Sequence, residues 1–253
     1  MSCLVQTFRF SSQRPGRKLS NIPRKPIHTI GDAEQVDRAL SDKIDWESFY
    51  AIGKRNPPFV TDKPDESLVR YIEQGHLKPG RAIDLGCGIG RNAVYLAKIG
   101  YRVDAIDISS TAIGKARLLA RRSAVDVDFN VGSIFDLALS VNHYDLAYDA
   151  GLLHHLQPHQ RPYYLEKVHA ILKPSGMFGM TCFDTSGGVP REDWEIYQEG
   201  RMPPGIGYTE DRLRDVLQYH FEIIEFRPMR AQSEDSFLLG INGLWAVLMK
   251  PLH

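Results

Sequence analysis

Cysteine is scarce. The chain of 253 residues holds three, Cys3, Cys87 and Cys182. An odd, scattered set is no disulfide framework, and without a Cys-x-x-Cys pair it gives no zinc signature. A reducing compartment, the cytoplasm, is the simpler reading. Neither sign of charge is in excess, since Lys+Arg and Asp+Glu both number 31. No basic field points to nucleic acid, and no acidic surplus to a disordered, solvating chain. No apolar run approaches the ~20 residues of a membrane span. The N-terminus lacks the long apolar stretch of a secretory signal. No period of about 20–50 residues recurs, which argues against a solenoid.

What is present fits one α/β domain with additions. The hydrophobic fraction is 43% and the charged fraction 25%, ordinary for a globular protein. Residues 1–30 differ: Arg9, Arg14, Arg17, Lys18, Arg24 and Lys25 occur there without an acid. That composition predicts a disordered arm, with a transit peptide or a weak nucleic-acid contact as alternatives. Residues 31–75 read as an N-terminal helical cap. Gly31–Tyr50 looks helical, with Ala33, Val36 and Leu40 on one face, and a second helix is expected over Glu66–Gln74.

From Arg81 onward, strands and helices alternate. Strands are expected at 81–85, 101–106, 125–131, 144–148 and 177–183, with helices at 92–99, 110–121 and 161–172. Such βα units imply a parallel sheet with helices on both faces. Residues 184–208 break the rhythm and read as a lid or substrate insertion. Thr209–Tyr219 is helical, with Thr209 as its cap. Strands at 221–227 and 244–250, with no helix between them, predict an antiparallel hairpin at the sheet edge.

The densest chemical signal is Asp84-Leu85-Gly86-Cys87-Gly88-Ile89-Gly90-Arg91-Asn92. Glycines between a strand and a helix let a ligand approach the backbone, and the helix start favours an anionic group. The dinucleotide fingerprint GxGxxG would put its third glycine at position 91, which is Arg91. Asp84 would repel a pyrophosphate but could bind the amino group of a zwitterion. An amino-acid-bearing nucleoside is therefore favoured over NAD. Asp107 ends the second strand, where a carboxylate can take both ribose hydroxyls. The plain alternative is a helix cap, with Ser109 and Ser110 beside it.

The text DLGCGIGRNAVYLAKIGYRVDAIDIS resembles motif I and its continuation in class I S-adenosylmethionine-dependent methyltransferases. The GRN-x-x-YL and YDLAYDAGLLHHL stretches are similar to the tellurite-resistance and thiopurine-methyltransferase-like branch. The resemblance implies a doubly wound, Rossmann-like methyltransferase fold in residues 76–253, with a seven-stranded, mostly parallel sheet and an antiparallel edge strand. It also implies S-adenosyl-L-methionine as cofactor, with Asp84, Gly86, Cys87 and Gly88 around its methionine and Asn92 at the helix start. Asp107 would hold the ribose. Ile108, Ser133 and Ile134 would meet the adenine, although many relatives carry Asp at the position of Ser133. Asp149 and Ala150 would stand at the methyl-transfer point.

Because the sulfonium already activates the methyl group, the protein has mainly to position its acceptor. His154 and His155 follow the fourth strand and are candidates for a base or substrate contact, with packing as the alternative. Tyr50, Trp194 and Tyr208 are candidate lid or substrate residues, and Trp46, Phe49 and Phe59 are aromatic neighbours of the same kind. After the fourth strand the sequence lacks the Asn/Asp-Pro-Pro-Tyr/Phe signature of nucleic-acid amino methyltransferases. The expected acceptor is a small molecule: a thiol, a metalloid oxyanion, a hydroxyl or an amine. Competing readings are a non-catalytic cofactor-binding protein, an RNA methyltransferase and an NAD-dependent oxidoreductase. No membrane partner is expected.

Overall fold

The computed structural model describes residues 26–34, 36, 44–52 and 57–253. Most of the basic arm, and Leu40 of the expected first helix, lie outside the described residues. Seven strands form one sheet in the order β3-β2-β1-β4-β5-β7-β6. They are β1 Arg81–Leu85, β2 Arg102–Asp107, β3 Asp128–Val131, β4 Tyr144–Ala150, β5 Leu172–Phe183, β6 Phe221–Pro228 and β7 Leu244–Pro251. The first five pair in parallel. The terminal hairpin lies at the edge, as expected from its missing helix. Its second strand, β7, runs antiparallel between β5 and β6, so the reversed strand is one place in from the rim.

The helices follow the apolar spacing of the text. Helices α3 Glu66–Glu73, α4 Arg91–Lys98 and α5 Ser110–Arg122 cover one face. Leu68, Tyr71, Leu96 and Ile113 pack there against Ala82, Leu146 and Tyr148. The other face takes α6 Arg161–Ile171, α7 Asp193–Glu199 and α8 Glu210–Leu217. Tyr164, Val168 and Leu213 meet Ile83, Leu85, Phe178 and Met180. Neighbouring strand residues thus point to opposite cores, as a pleat requires.

Three boundaries differ from expectation for local reasons. Helix α6 stops at Ile171, because Lys173 precedes Pro174 and is driven to extended backbone. Leu172 then pairs with Tyr144, and the register slips before Leu146 meets Met177. Within the expected helix over 31–50, the described residues form two short ones, α1 Ile30–Glu34 and α2 Trp46–Ile52. They pack in different places, α1 against α6 and α2 against α5, so this stretch is not one block. Within the insertion, α7 carries a capping box of Glu192 and Glu195 that the irregular text concealed.

Candidate active site

The strand order reverses between β1 and β4, where open α/β sheets leave a crevice at their carboxyl ends. A cleft of about 450 Å3 lies there. Gly86 and Gly88 turn the chain out of β1 with φ of 67° and 54°, values glycine adopts without steric penalty. Gly88 is also closely covered, since a Cβ there would stand 2.7 Å from the Tyr50 hydroxyl. Cys87 is buried in the core, and its N–H donates to the Ile106 carbonyl at 2.9 Å.

Asp84 is 1% exposed. One carboxylate oxygen accepts from the Ala93 N–H at 3.0 Å, and the other has no partner. Burial pushes this carboxyl up to about 7, against the pull of Arg91. Asp107 accepts from the Gly88 N–H at 2.8 Å and from the Ser109 N–H at 2.9 Å. It ties the glycine turn to β2 while still lining the cleft. The cap of α5 is Ser109, whose hydroxyl accepts from the Ala112 N–H at 3.1 Å, not Asp107. Burial raises the Asp107 carboxyl, opposed by these two N–H donors.

Arg91, which entered the sequence reading only as a missing glycine, lines the cleft beside Asp65. The two form a buried ion pair. Asn92 braces it, accepting from the Asp65 N–H at 2.9 Å and donating to the Asp65 carboxylate at 3.1 Å. The Tyr148 hydroxyl donates to the same carboxylate at 3.1 Å. Asn92 therefore serves this network under the turn. Nothing in the local text around Asp65 signalled its part.

Ile108 stands on the rim, 61% exposed, with Ser133 and Ile134 across from it in the lining. The Ser133 hydroxyl accepts from the Phe135 N–H at 3.2 Å, and Asp136 lines the cleft on the same turn. Ala150 also lines it. Asp149 points elsewhere. Its carboxylate accepts from the N–H groups of Gly151, Leu152 and Leu153 at 2.9, 2.5 and 3.1 Å, and from the Tyr164 hydroxyl at 2.7 Å. Burial pushes it up to about 6, opposed by those donors. Asp149 thus shapes the loop that carries the two histidines.

His154 and His155 both line the cleft, their Nε2 atoms 3.1 Å apart. His154 Nδ1 accepts from the Phe183 N–H at 3.1 Å, and the two rings stack at 3.8 Å. Burial, then the neighbouring His155, holds His154 well below the ordinary imidazole value. Burial lowers His155 to about 4. Trp46 meets the His155 ring edge-on at 4.8 Å. Trp46, Tyr50 and Phe59 all line the cleft, so the aromatic residues of the N-terminal stretch cover it. Glu47 fixes α2 in place, accepting from the Ser109 and Ser110 hydroxyls at 2.8 and 3.2 Å and from Thr111. The Thr111 hydroxyl leads these bonds in holding Glu47 down at about 2.

Tyr208 lies in the core of the insertion. It is fully buried, and its hydroxyl accepts from Arg161 at 2.8 Å. Arg161 and Arg212 both pair with Asp193, which also accepts from the Ile27 N–H at 2.9 Å. Trp194 is half-buried on the same helix. From the insertion, Met202 and Pro203 reach the cleft; Phe183, Leu239, Ile241 and Leu244 join them from elsewhere in the chain. Among the described residues, no helix is long and apolar enough to cross a membrane. No group of three or more His, Cys, Asp or Glu side chains among them is placed to hold a metal.

Residues 82–176 match a family described as a methyltransferase domain. The chain is 26% identical to the 2-heptyl-1-hydroxyquinolin-4(1H)-one methyltransferase of Mycobacteroides abscessus, over 69% of this chain and 72% of that protein. It is 28% identical to a probable thiol methyltransferase of Arabidopsis thaliana, over 64% and 73% of the two chains. In fold it is similar to the Burkholderia thailandensis 1,6-didemethyltoxoflavin-N1-methyltransferase, solved with S-adenosylhomocysteine and 1,6-didemethyltoxoflavin bound. That similarity has a TM-score of 0.61 at 22% identity and covers 90% of this chain and 93% of the other.

Proposed function

We propose that this chain, a member of the S-adenosylmethionine-dependent methyltransferases, transfers the cofactor's methyl group to a small-molecule acceptor held under α2 and the insertion. The carrying observation is the juxtaposition, in one cleft, of a glycine turn, the Asp107 carboxylate and a half-buried aromatic and histidine chamber. When bound, the cofactor supplies a methyl group already activated on a sulfonium.

The chain's residues fit that group. The unpartnered oxygen of Asp84 suits an ammonium, and Arg91 at the cleft wall suits a carboxylate. Gly86 brings bare backbone to the cleft, while the Tyr50 hydroxyl covers Gly88. Asp107 offers its carboxylate to a ribose diol, Ile108 and Ile134 offer apolar contacts to a base, and Asp136 supplies the carboxylate absent from position 133. Asp149 acts as a positioning residue, holding the loop of His154 and His155. Both imidazoles are neutral at pH 7, which suits substrate contact better than proton uptake. Tyr50 and Met202 close the cleft from two sides, and the reading of 184–208 as a lid rests on Met202 and Pro203.

Incubation of the protein with methyl-labelled cofactor and a deproteinised metabolite extract tests this reading. Label in a low-mass product is the expected result. Label confined to added RNA or protein contradicts it. Cofactor binding without transfer to any class of acceptor would favour a non-catalytic binding protein.

A further inference from the structure

The acceptor end of the cleft has a definite chemistry. Stacked or edge contacts run without a break from Phe59 through Phe49, Trp46 and His155 to Phe183, with ring centroids 5.8, 5.3, 4.8 and 6.0 Å apart. Aliphatic Met202, Leu239, Ile241 and Leu244 also line the cleft. Among the described residues, the charged side chains lining it are Asp65, Arg91, Asp107 and Asp136. Asp65 and Arg91 already pair with each other, while Asp107 ends β2 and Asp136 follows β3 on the glycine-turn side. Among the described residues, none at the aromatic end would neutralise a phosphate or an ammonium, and burying either unpaired is costly.

The backbone also sets the protons of the histidine pair. The Phe183 N–H donates to His154 Nδ1, so the neutral His154 ring carries its hydrogen on Nε2. That hydrogen points to His155 Nε2, which must accept it. The His155 proton is thereby placed on Nδ1. This nitrogen is buried and has no hydrogen-bond partner. The Pro204 carbonyl stands near enough to favour a protonated ring, but Nδ1 makes no hydrogen bond of ordinary geometry. A buried donor left unpaired is disfavoured until something arrives to accept from it.

We infer that the acceptor is a flat, uncharged aromatic or heteroaromatic molecule that lies along the Trp46–His155–Phe183 wall, with a ring-borne oxygen or nitrogen accepting from His155 Nδ1–H. The inference rests on the methyltransferase reading above and narrows it to one acceptor class. Aromatic stacking supplies the affinity, and the His155 N–H sets the orientation.

Calorimetric titration of probes into the full chain saturated with S-adenosylhomocysteine tests it. The probes are 4-hydroxyquinoline, 1-naphthol, 2-mercaptoethanol and phosphoethanolamine. The flat probes are expected to bind at least about tenfold tighter than the other two. His155→Phe should weaken 4-hydroxyquinoline by about tenfold, the scale of one lost buried hydrogen bond. His155→Asn, which keeps an N–H near Nδ1, should recover part of that loss. Neither variant should shift S-adenosylhomocysteine affinity by more than about twofold. Tighter binding of phosphoethanolamine or the thiol overturns the inference. So does unchanged 4-hydroxyquinoline affinity in folded His155→Phe, or no binding of either flat probe at millimolar concentration. Failure of S-adenosylhomocysteine itself to bind would instead remove the methyltransferase reading beneath it.

Discussion

The cleft has two halves built by different means. Its glycine-turn half comes from contiguous chain: β1, the turn and the start of α4, with Asp107 closing it from the next strand. Backbone geometry does most of the work there, and the key carboxylates hold backbone N–H groups as well as offering themselves to a ligand. The aromatic half is assembled from α2, the loop after β4, the end of β5, the insertion and the β6–β7 connection. Side chains do the work there: Glu47 anchors α2, Asp149 the loop after β4 and Asp193 the insertion. The first half is a local solution that a short text can carry. The second depends on many distant contacts, so it can change its chemistry without disturbing the cofactor's seat.

Breaking an anchor of the second half should give the largest effect. Asp193→Ala leaves Arg161, 1% exposed, without its carboxylate and frees the Ile27 N–H. Loss of one partner of a buried pair costs about 3–5 kcal/mol. Chemical denaturation should report that loss, while S-adenosylhomocysteine affinity of the folded protein changes little. An equally large loss of cofactor affinity would show that the halves are not separable.

Asp107→Ala attacks the first half. It should weaken S-adenosylhomocysteine by about 1.5–3 kcal/mol, the scale of charge-assisted hydrogen bonds to the diol and the turn. Acceptor-free calorimetry measures it, and unchanged affinity would reduce Asp107 to a turn brace. Asp149→Asn probes the junction between the halves. Amide for carboxylate should cost about 1–3 kcal/mol of stability and lower turnover, with cofactor affinity nearly unchanged.

Acidification should separate the halves by pH range and by readout. His154 and His155 have depressed values in the folded state, so the unfolded chain binds their protons more readily. Their stabilising contribution is complete above about 6.5 and is lost as pH falls, for His155 toward about 4. His155→Phe should flatten that decline in a denaturation series. Asp84 acts at higher pH. A cationic ligand beside it favours the ionised carboxyl, so S-adenosylmethionine affinity should weaken as pH falls through about 7. Smallest of all, Glu47→Gln loosens an exposed tether and should raise acceptor KM by less than about threefold.

This division also explains what could be read from the chain. All seven strands and the cofactor class were legible, because strand alternation and the Asp84–Gly90 spacing are local signals. Asp149 misled because its position at the end of β4 says nothing of the three N–H groups that turn its carboxylate away from the cleft. Tyr208 looked like a pocket residue in irregular text, since the partner that buries its hydroxyl, Arg161, lies 47 positions away. Arg91 was visible only as the residue that broke a dinucleotide pattern. The convergence of Phe183, Leu239 and Ile241 on Trp46 has no sequence signature, because it follows from the sheet order.

The most direct measurement is a parallel calorimetric titration of the protein and its Asp107→Ala variant with S-adenosylhomocysteine and NAD. Micromolar binding of S-adenosylhomocysteine, weakened in the variant, with no heat from NAD, is the predicted result. Binding of NAD, or of neither ligand, by the folded protein would contradict the account.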